Sequence, residues 1–205
     1  MTSKPLRIAL DAMGGDHAPK ETVAGALEAA AAWSSLSILL VGRREAVEAE
    51  LKSQAVRVPA SIAVVHASEV IGMGEHPAES IRRKKDSSMS VAVGLVAKGE
   101  ADAVVSAGST GAQVVASTLF LRLLPGVKRP GIAVSLTTQT GRCLLVDAGA
   151  NIYCKPEHLY QYGLMASVFC EQVLGIARPK VGLLNVGSEE EKGTDLVAQT
   201  AALLK

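Results

Sequence analysis

Apolar strand, glycine-rich polar loop and helix follow one another repeatedly along this chain. That order predicts an α/β fold: a three-layer α/β/α sandwich with a mainly parallel sheet covered on both faces. Two further observations agree. The strand-like segments are unbroken Val/Ile/Leu/Ala runs, the pattern of strands buried on both sides. Hydrophobic residues make up 48% of the 205 residues but aromatics only 3%, so Ala, Val, Leu and Gly must do the packing, which suits helices laid closely on a sheet.

Leu6–Leu10 reads as the first buried strand and Asp11–Pro19 as a loop. Lys20–Trp33 has helical spacing, with Pro19 where a helix start tolerates proline. Ser37–Val41 and Ile62–His66 are strands on either side of a helix at Glu45–Lys52. Ser90–Lys98 is helical, with Gly99 as its stop. Ala103–Ser106 is a strand, followed by the loop Ala107–Gly111 and a helix to about Leu124. Gly131–Leu136, Leu144–Asp147 and Val181–Val186 are further strands, and Glu157–Leu174 and Asp195–Leu204 are helices. Neither a repeat nor a long linker breaks the chain, so residues 1–205 are expected to form a single α/β domain.

A formal net charge of +1 gives no sign of bulk nucleic-acid binding, which usually shows as a basic excess or stripe. Cys143, Cys154 and Cys170 are odd in number and lack CxxC spacing, so they read as free thiols of a reducing, cytoplasmic compartment. His66, His76 and His158 have no metal-ligand spacing, and no metal is expected. There is no signal-peptide pattern at the start and no apolar run long enough for a bilayer.

In open parallel sheets ligands bind at the carboxyl ends of strands. Four loops dense in Gly, Asp, Asn, Ser and Lys fall there. The first is Asp11-Ala-Met-Gly14-Gly15-Asp16-His17, in which Asp11, Asp16 and His17 are candidates for acid–base work or for capping and turn formation. The second is Ser106–Gly111. Its small residues let backbone N–H groups approach an anion at the start of a helix, with hydroxyls from Ser109 and Thr110 beside Gly111; a plain N-cap is the competing reading. It is neither a Walker motif nor GxGxxG. The third holds Asp147 and Asn151, which also suit Asx turns. The fourth runs from Asn185 to Gly193. Glu189–Glu191 favour the following helix start, whereas Lys192 opposes the helix dipole there and makes sense beside an anionic ligand; a plain surface lysine is the competing reading. Arg82-Arg83-Lys84-Lys85 is either a solvated helix face or a surface for an acidic partner.

Taken in order, five segments resemble the PlsX family of phosphate acyltransferases. They are Asp11-Ala-Met-Gly-Gly-Asp-His-Ala-Pro19, Arg83-Lys-Lys-Asp-Ser-Ser-Met89, Ser106-Ala-Gly-Ser-Thr-Gly-Ala112, Lys155-Pro-Glu-His158, and Gly182-Leu-Leu-Asn-Val-Gly187 with Lys192-Gly193. The resemblance implies transfer of a long acyl chain from acyl carrier protein to inorganic phosphate. The acyl phosphate formed would be the donor for the first acylation of glycerol 3-phosphate in phospholipid synthesis. It implies a fold similar to that of the isocitrate/isopropylmalate dehydrogenases and phosphate acetyltransferases, a homodimer, and no cofactor. It also implies a cytoplasmic location, with peripheral association at the inner face of the membrane in longer chains.

Within that resemblance, Lys192 is expected to act on phosphate or the developing charge, and Ser109, Thr110 and Gly111 to hold phosphate. Asp11, Gly14, Gly15, Asp16, His17, Asp147, Asn151 and Asn185 are further site candidates, and Arg82, Arg83, Lys84 and Lys85 would meet the carrier protein. The family usually carries Asn where this chain has Ser109 and Val where it has Ala148. Family members continue well beyond Lys205, so the chain is expected to be incomplete at its C-terminus, without part of the site. A coenzyme A-dependent phosphate acyltransferase and a non-catalytic fragment that binds phosphate or carrier protein are the competing readings. A nicotinamide dehydrogenase is a distant third.

Overall fold

The computed structural model describes residues 4–54, 57–187 and 192–205, and the expectation for Glu189–Glu191 lies outside the described residues. The chain divides into two compact units, Met1–Arg122 and Leu123–Lys205.

The first unit contains β1 (Leu6–Asp11), α1 (Lys20–Ala32), β2 (Leu36–Gly42), α2 (Arg44–Ser53), β3 (Ile62–His66), α3 (Pro77–Arg83), α4 (Ser88–Ala97), β4 (Ala103–Val105) and α5 (Thr110–Phe120). Its four strands form one parallel sheet in the order β3-β2-β1-β4. Successive side chains of a strand point to opposite faces. Ile38 and Leu40 accordingly pack with Val23, Ala26, Val47 and Leu51 of α1 and α2. Ala9 and Val41 pack with Ala92 and Leu95 of α4. A third cluster joins Ile81 of α3, Met89 and Val93 of α4, and Ala112 and Ala116 of α5. Both faces of this sheet are covered, as the unbroken apolar strands predict.

Local chemistry sets several boundaries. Helix α4 begins two residues earlier than its apolar spacing suggests, because the Ser87 hydroxyl accepts a hydrogen bond from the Ser90 N–H and caps it. It stops before Gly99, whose φ of +71° suits glycine and ends the helix. Helix α3 was not anticipated. Pro77 occupies its first turn, where a missing N–H costs nothing, and Arg83 pairs with Glu79 at 2.9 Å one turn back.

The second unit holds β5 (Ala133–Thr138), β6 (Gly141–Val146), α6 (Pro156–Gln172) and α7 (Asp195–Leu204). β5 and β6 pair antiparallel in a separate two-stranded sheet, so the parallel order stops at the first unit among the described residues. Residues 181–186 carry no strand, contrary to the expectation from their apolar run. A short apolar run reports burial but not strand pairing, and here the side chains of Leu184 and Val186 are largely exposed. No helix among the described residues is long and apolar enough to cross a membrane.

Candidate active site

β1 and β4 lie side by side, Leu10 opposite Val105, so the loops that leave their carboxyl ends meet. Asp11, 2% exposed, ends β1. Its Oδ2 accepts a hydrogen bond from the Ser106 hydroxyl at 2.8 Å, and its Oδ1 accepts one from the Met13 N–H at 3.2 Å. The Ser106 oxygen in turn accepts the Gly108 N–H at 3.0 Å. Gly14 presses on this group: a Cβ there would lie 2.7 Å from Asp11 Oδ2, 2.8 Å from Gly108 N and 2.8 Å from Ser106 Oγ. Glycine is required because only a bare backbone fits. Gly15 follows at φ +102°, against Ala107. Asp16 and His17 are exposed on the way into α1. The hydrogen bonds of Asp11 therefore run to Ser106 and Met13.

Ser109 is the N-cap of α5, its oxygen accepting the Ala112 N–H at 3.4 Å. The capping reading of this serine is thus realised, and its hydroxyl proton remains to be donated. Thr110, exposed, and Gly111 begin the helix, where N–H groups have no intrahelical acceptor and the dipole end is positive. A Cβ on Gly111 would meet the Pro77 ring at 2.8 Å, so the first turn of α3 walls this helix start.

The basic run is not uniform. Arg82 and Lys85 are exposed and Arg83 pairs with Glu79. Lys84 turns inward, donating to the Val70 carbonyl at 2.7 Å and to Glu75 at 2.6 Å. Glu75 also accepts from Gly72 and Ser80. Lys84 first, then these donors, hold its carboxyl down at about 2.

In the second unit, Asp147 accepts from the N–H groups of Ile132, Ala150 and Asn151 and from the Asn151 amide, at 2.8 to 3.0 Å. Burial pushes this carboxyl up, but the donors outweigh burial and hold it below the usual carboxylate range. Asn151 also donates to the Pro130 carbonyl and to the hydroxyl of Tyr162, which is buried, and Arg129 donates to the Asn151 oxygen at 3.3 Å. Burial raises Tyr162 to about 12, so it stays a protonated donor to Pro130. Neither Tyr162 nor Arg129 stands out in the sequence, since each becomes relevant only through contacts distant along the chain. His158 is buried and its Nδ1 accepts the Lys155 N–H at 3.1 Å. Burial, then nearby Arg129 and Lys155, lower its pKa.

Asn185 and Lys192 are brought together. The Asn185 amide donates to the Lys192 carbonyl at 2.8 Å. Gly193, at φ +110°, leaves no space for a Cβ beside Asn185. The exposed Lys192 lines a cavity with Asn185, Gly187, Val197 and Ala198. Of the sequence candidates, then, Asp11 and Gly14 meet the Ser106–Gly111 loop in the first unit. Asp147 pairs with Asn151, and Asn185 with Lys192, in the second.

A parallel sheet flanked by helices, with small-residue loops at its carboxyl edge, defines an α/β protein of the class whose ligands bind at that edge. The fold matches the solved structure of the EutD phosphotransacetylase from Staphylococcus aureus at a TM-score of 0.69 and 19% identity, covering 98% of this chain and 63% of that one. Residues 6–205 match the model of a family described as fatty acid synthesis protein. The chain is 52% identical over 200 residues to the phosphate acyltransferase of Desulfitobacterium hafniense (strain DSM 10664 / DCB-2), covering 98% of this chain and 59% of the relative. It is 46% identical over 201 residues to the phosphate acyltransferase of Bacillus subtilis (strain 168), with the same coverage of 98% and 59%. The chain belongs to the fatty acid synthesis protein family, the PlsX family that its five segments resemble. It spans about 59% of the length of these curated relatives.

Proposed function

We propose that this chain is the major part of a phosphate acyltransferase, which moves a long acyl chain from acyl carrier protein to inorganic phosphate. The observation that carries the reading is the joined pair of glycine loops at the carboxyl edge of the parallel sheet, opening directly into the start of α5. Family membership and relatives named phosphate acyltransferase support it.

Phosphate lies at Ser109, Thr110 and Gly111, against first-turn N–H groups and the serine hydroxyl. A phosphate oxygen attacks the thioester carbonyl. The tetrahedral intermediate collapses with loss of the C–S bond, and the carrier thiolate leaves and takes up a proton. Acyl phosphate and free carrier thiol result, with no covalent enzyme intermediate. Positioning two reactants in this way is worth on the order of 7 kcal/mol or more in good cases. Lys192, in the second unit, is the candidate for stabilising developing negative charge. Asp11, Gly14 and Gly15 shape the phosphate loop. Asp16, His17, Asp147, Asn151 and Asn185 complete the set of candidate site residues. Arg82, Arg83 and Lys85 face the acidic carrier protein, and Lys84, turned inward to Glu75, does not. The reading extends to a cytoplasmic homodimer without a cofactor, peripheral at the membrane in longer chains, in which residues 1–205 belong to one α/β domain.

The test is acyl phosphate production by the protein as its gene encodes it, from inorganic phosphate and either palmitoyl carrier protein or palmitoyl coenzyme A. Preferential turnover of the carrier thioester is expected. Equal or faster use of the coenzyme A thioester overturns the donor assignment, and no acyl phosphate from either overturns the reaction.

A further inference from the structure

We infer that Ser106 is a positioning residue for phosphate, setting through Asp11 and Gly108 the loop from which α5 begins. This rests on the reading that phosphate binds at the start of α5.

The hydrogen bonds have a direction. The Gly108 N–H donates to Ser106 Oγ at 3.0 Å, and the single hydroxyl proton of Ser106 goes to Asp11 Oδ2 at 2.8 Å. Ser106 therefore has no proton left for a ligand, and neither has the Gly108 N–H. Their effect on an anion is indirect. Asp11 is a buried carboxylate at the end of β1 and is itself held by the Met13 N–H. It thus gives the Ser106 hydroxyl a fixed acceptor. Gly14 closes the group from the other side, with no space for a Cβ. Ser106 and Gly108 lie between the end of β4 at Val105 and the cap at Ser109, so this serine holds the short segment that leads into the first N–H groups of α5. A loop rich in small residues would otherwise sample many directions, and ordering it only on binding would weaken binding.

The experiment measures inorganic phosphate binding by calorimetry, with far-UV circular dichroism as the folding control and KM for the thioester donor as a second readout. Ser106→Ala is expected to weaken phosphate about tenfold, the scale of one lost hydrogen bond to a charged acceptor, with donor KM unchanged. Ser106→Thr, which keeps the hydroxyl, should bind close to the parent. Asp11→Asn, a weaker acceptor, should lose affinity in the same direction but by less. Parent-like phosphate affinity in Ser106→Ala, or equal loss in the Ala and Thr variants, overturns the inference. A parent that binds phosphate yet makes no acyl phosphate overturns the functional reading alone; one that binds no phosphate overturns both.

Discussion

Lys192 is a cation set against a helix dipole. It stands just ahead of Thr194, the cap of α7, where the helix dipole disfavours a cation by roughly 0.3–1 kcal/mol. Its carbonyl accepts from the Asn185 amide and the next residue is a left-handed glycine, so main-chain contacts hold the backbone there. Lys192→Ala should therefore leave the melting temperature unchanged or slightly raised, while lowering acyl phosphate turnover about a hundredfold, the scale of one lost transition-state donor. Steady-state kinetics beside a melting curve decide it, and near-parental turnover would remove Lys192 from the chemistry. Its candidacy was legible in the sequence from charge against dipole. The role of Ser106 was not. Its bond to Asp11 joins residues 95 apart in sequence, and nothing local says that β1 and β4 are neighbours. Tyr162 was invisible for the same reason, since its partners Asn151 and Pro130 come from other loops.

Among the elements, the strongly patterned ones were legible. The expected ranges of β3 and α7 match the structure to the residue, and β1, β2, α1 and α2 differ only at their ends. Helix α3 was hidden because it is short and its last turn is a run of cations, which reads as surface whatever the backbone does. Residues 181–186 misled because hydrophobicity alone does not choose a pairing partner. Strand β4 is short, and a charged clamp adds to its pairing. Asp102, just before it, accepts from both the backbone and the guanidinium of Arg7 in β1, the closest contact being 2.7 Å. Arg7 thereby holds Asp102 at about 2, below the ordinary 3.8. Glu75, gripped by Lys84, is likewise at about 2 rather than 4.5. Both carboxyls take up protons more readily when the chain is unfolded. Their contribution is thus complete above their unfolded values and is lost as pH falls from about 5 toward 2. The melting temperature should drop across that window, and Asp102→Asn should make the drop shallower while starting from a lower plateau. An Asp102→Asn profile parallel to that of the parent would show the clamp to be a solvent-screened surface pair.

At the scale of the whole chain, a net charge of +1 gives no long-range attraction to an acidic partner, so any steering must come from where the charges sit. The run at Arg82–Lys85 is the obvious place, yet its four cations are not equivalent. Lys84 is spent on Glu75 and the Val70 carbonyl, and Arg83 is partly neutralised by Glu79. Arg82 and Lys85 remain exposed at the end of α3, where cations also suit the helix dipole. A stability role and a docking role therefore make different demands. Reversing Lys84 should unfold its loop, whereas reversing Arg82 and Lys85 should leave the fold intact. The double variant Arg82→Glu with Lys85→Glu is expected to slow association with acyl carrier protein about tenfold at low salt and to flatten the salt dependence of the on-rate. Turnover at saturating carrier thioester should hardly change, because steering acts on the encounter and not on the bound complex. Stopped-flow association across a salt series, beside kcat at saturation, measures both. An unchanged on-rate at low salt would make this run a solvated helix end and move the carrier-protein surface elsewhere on the molecule.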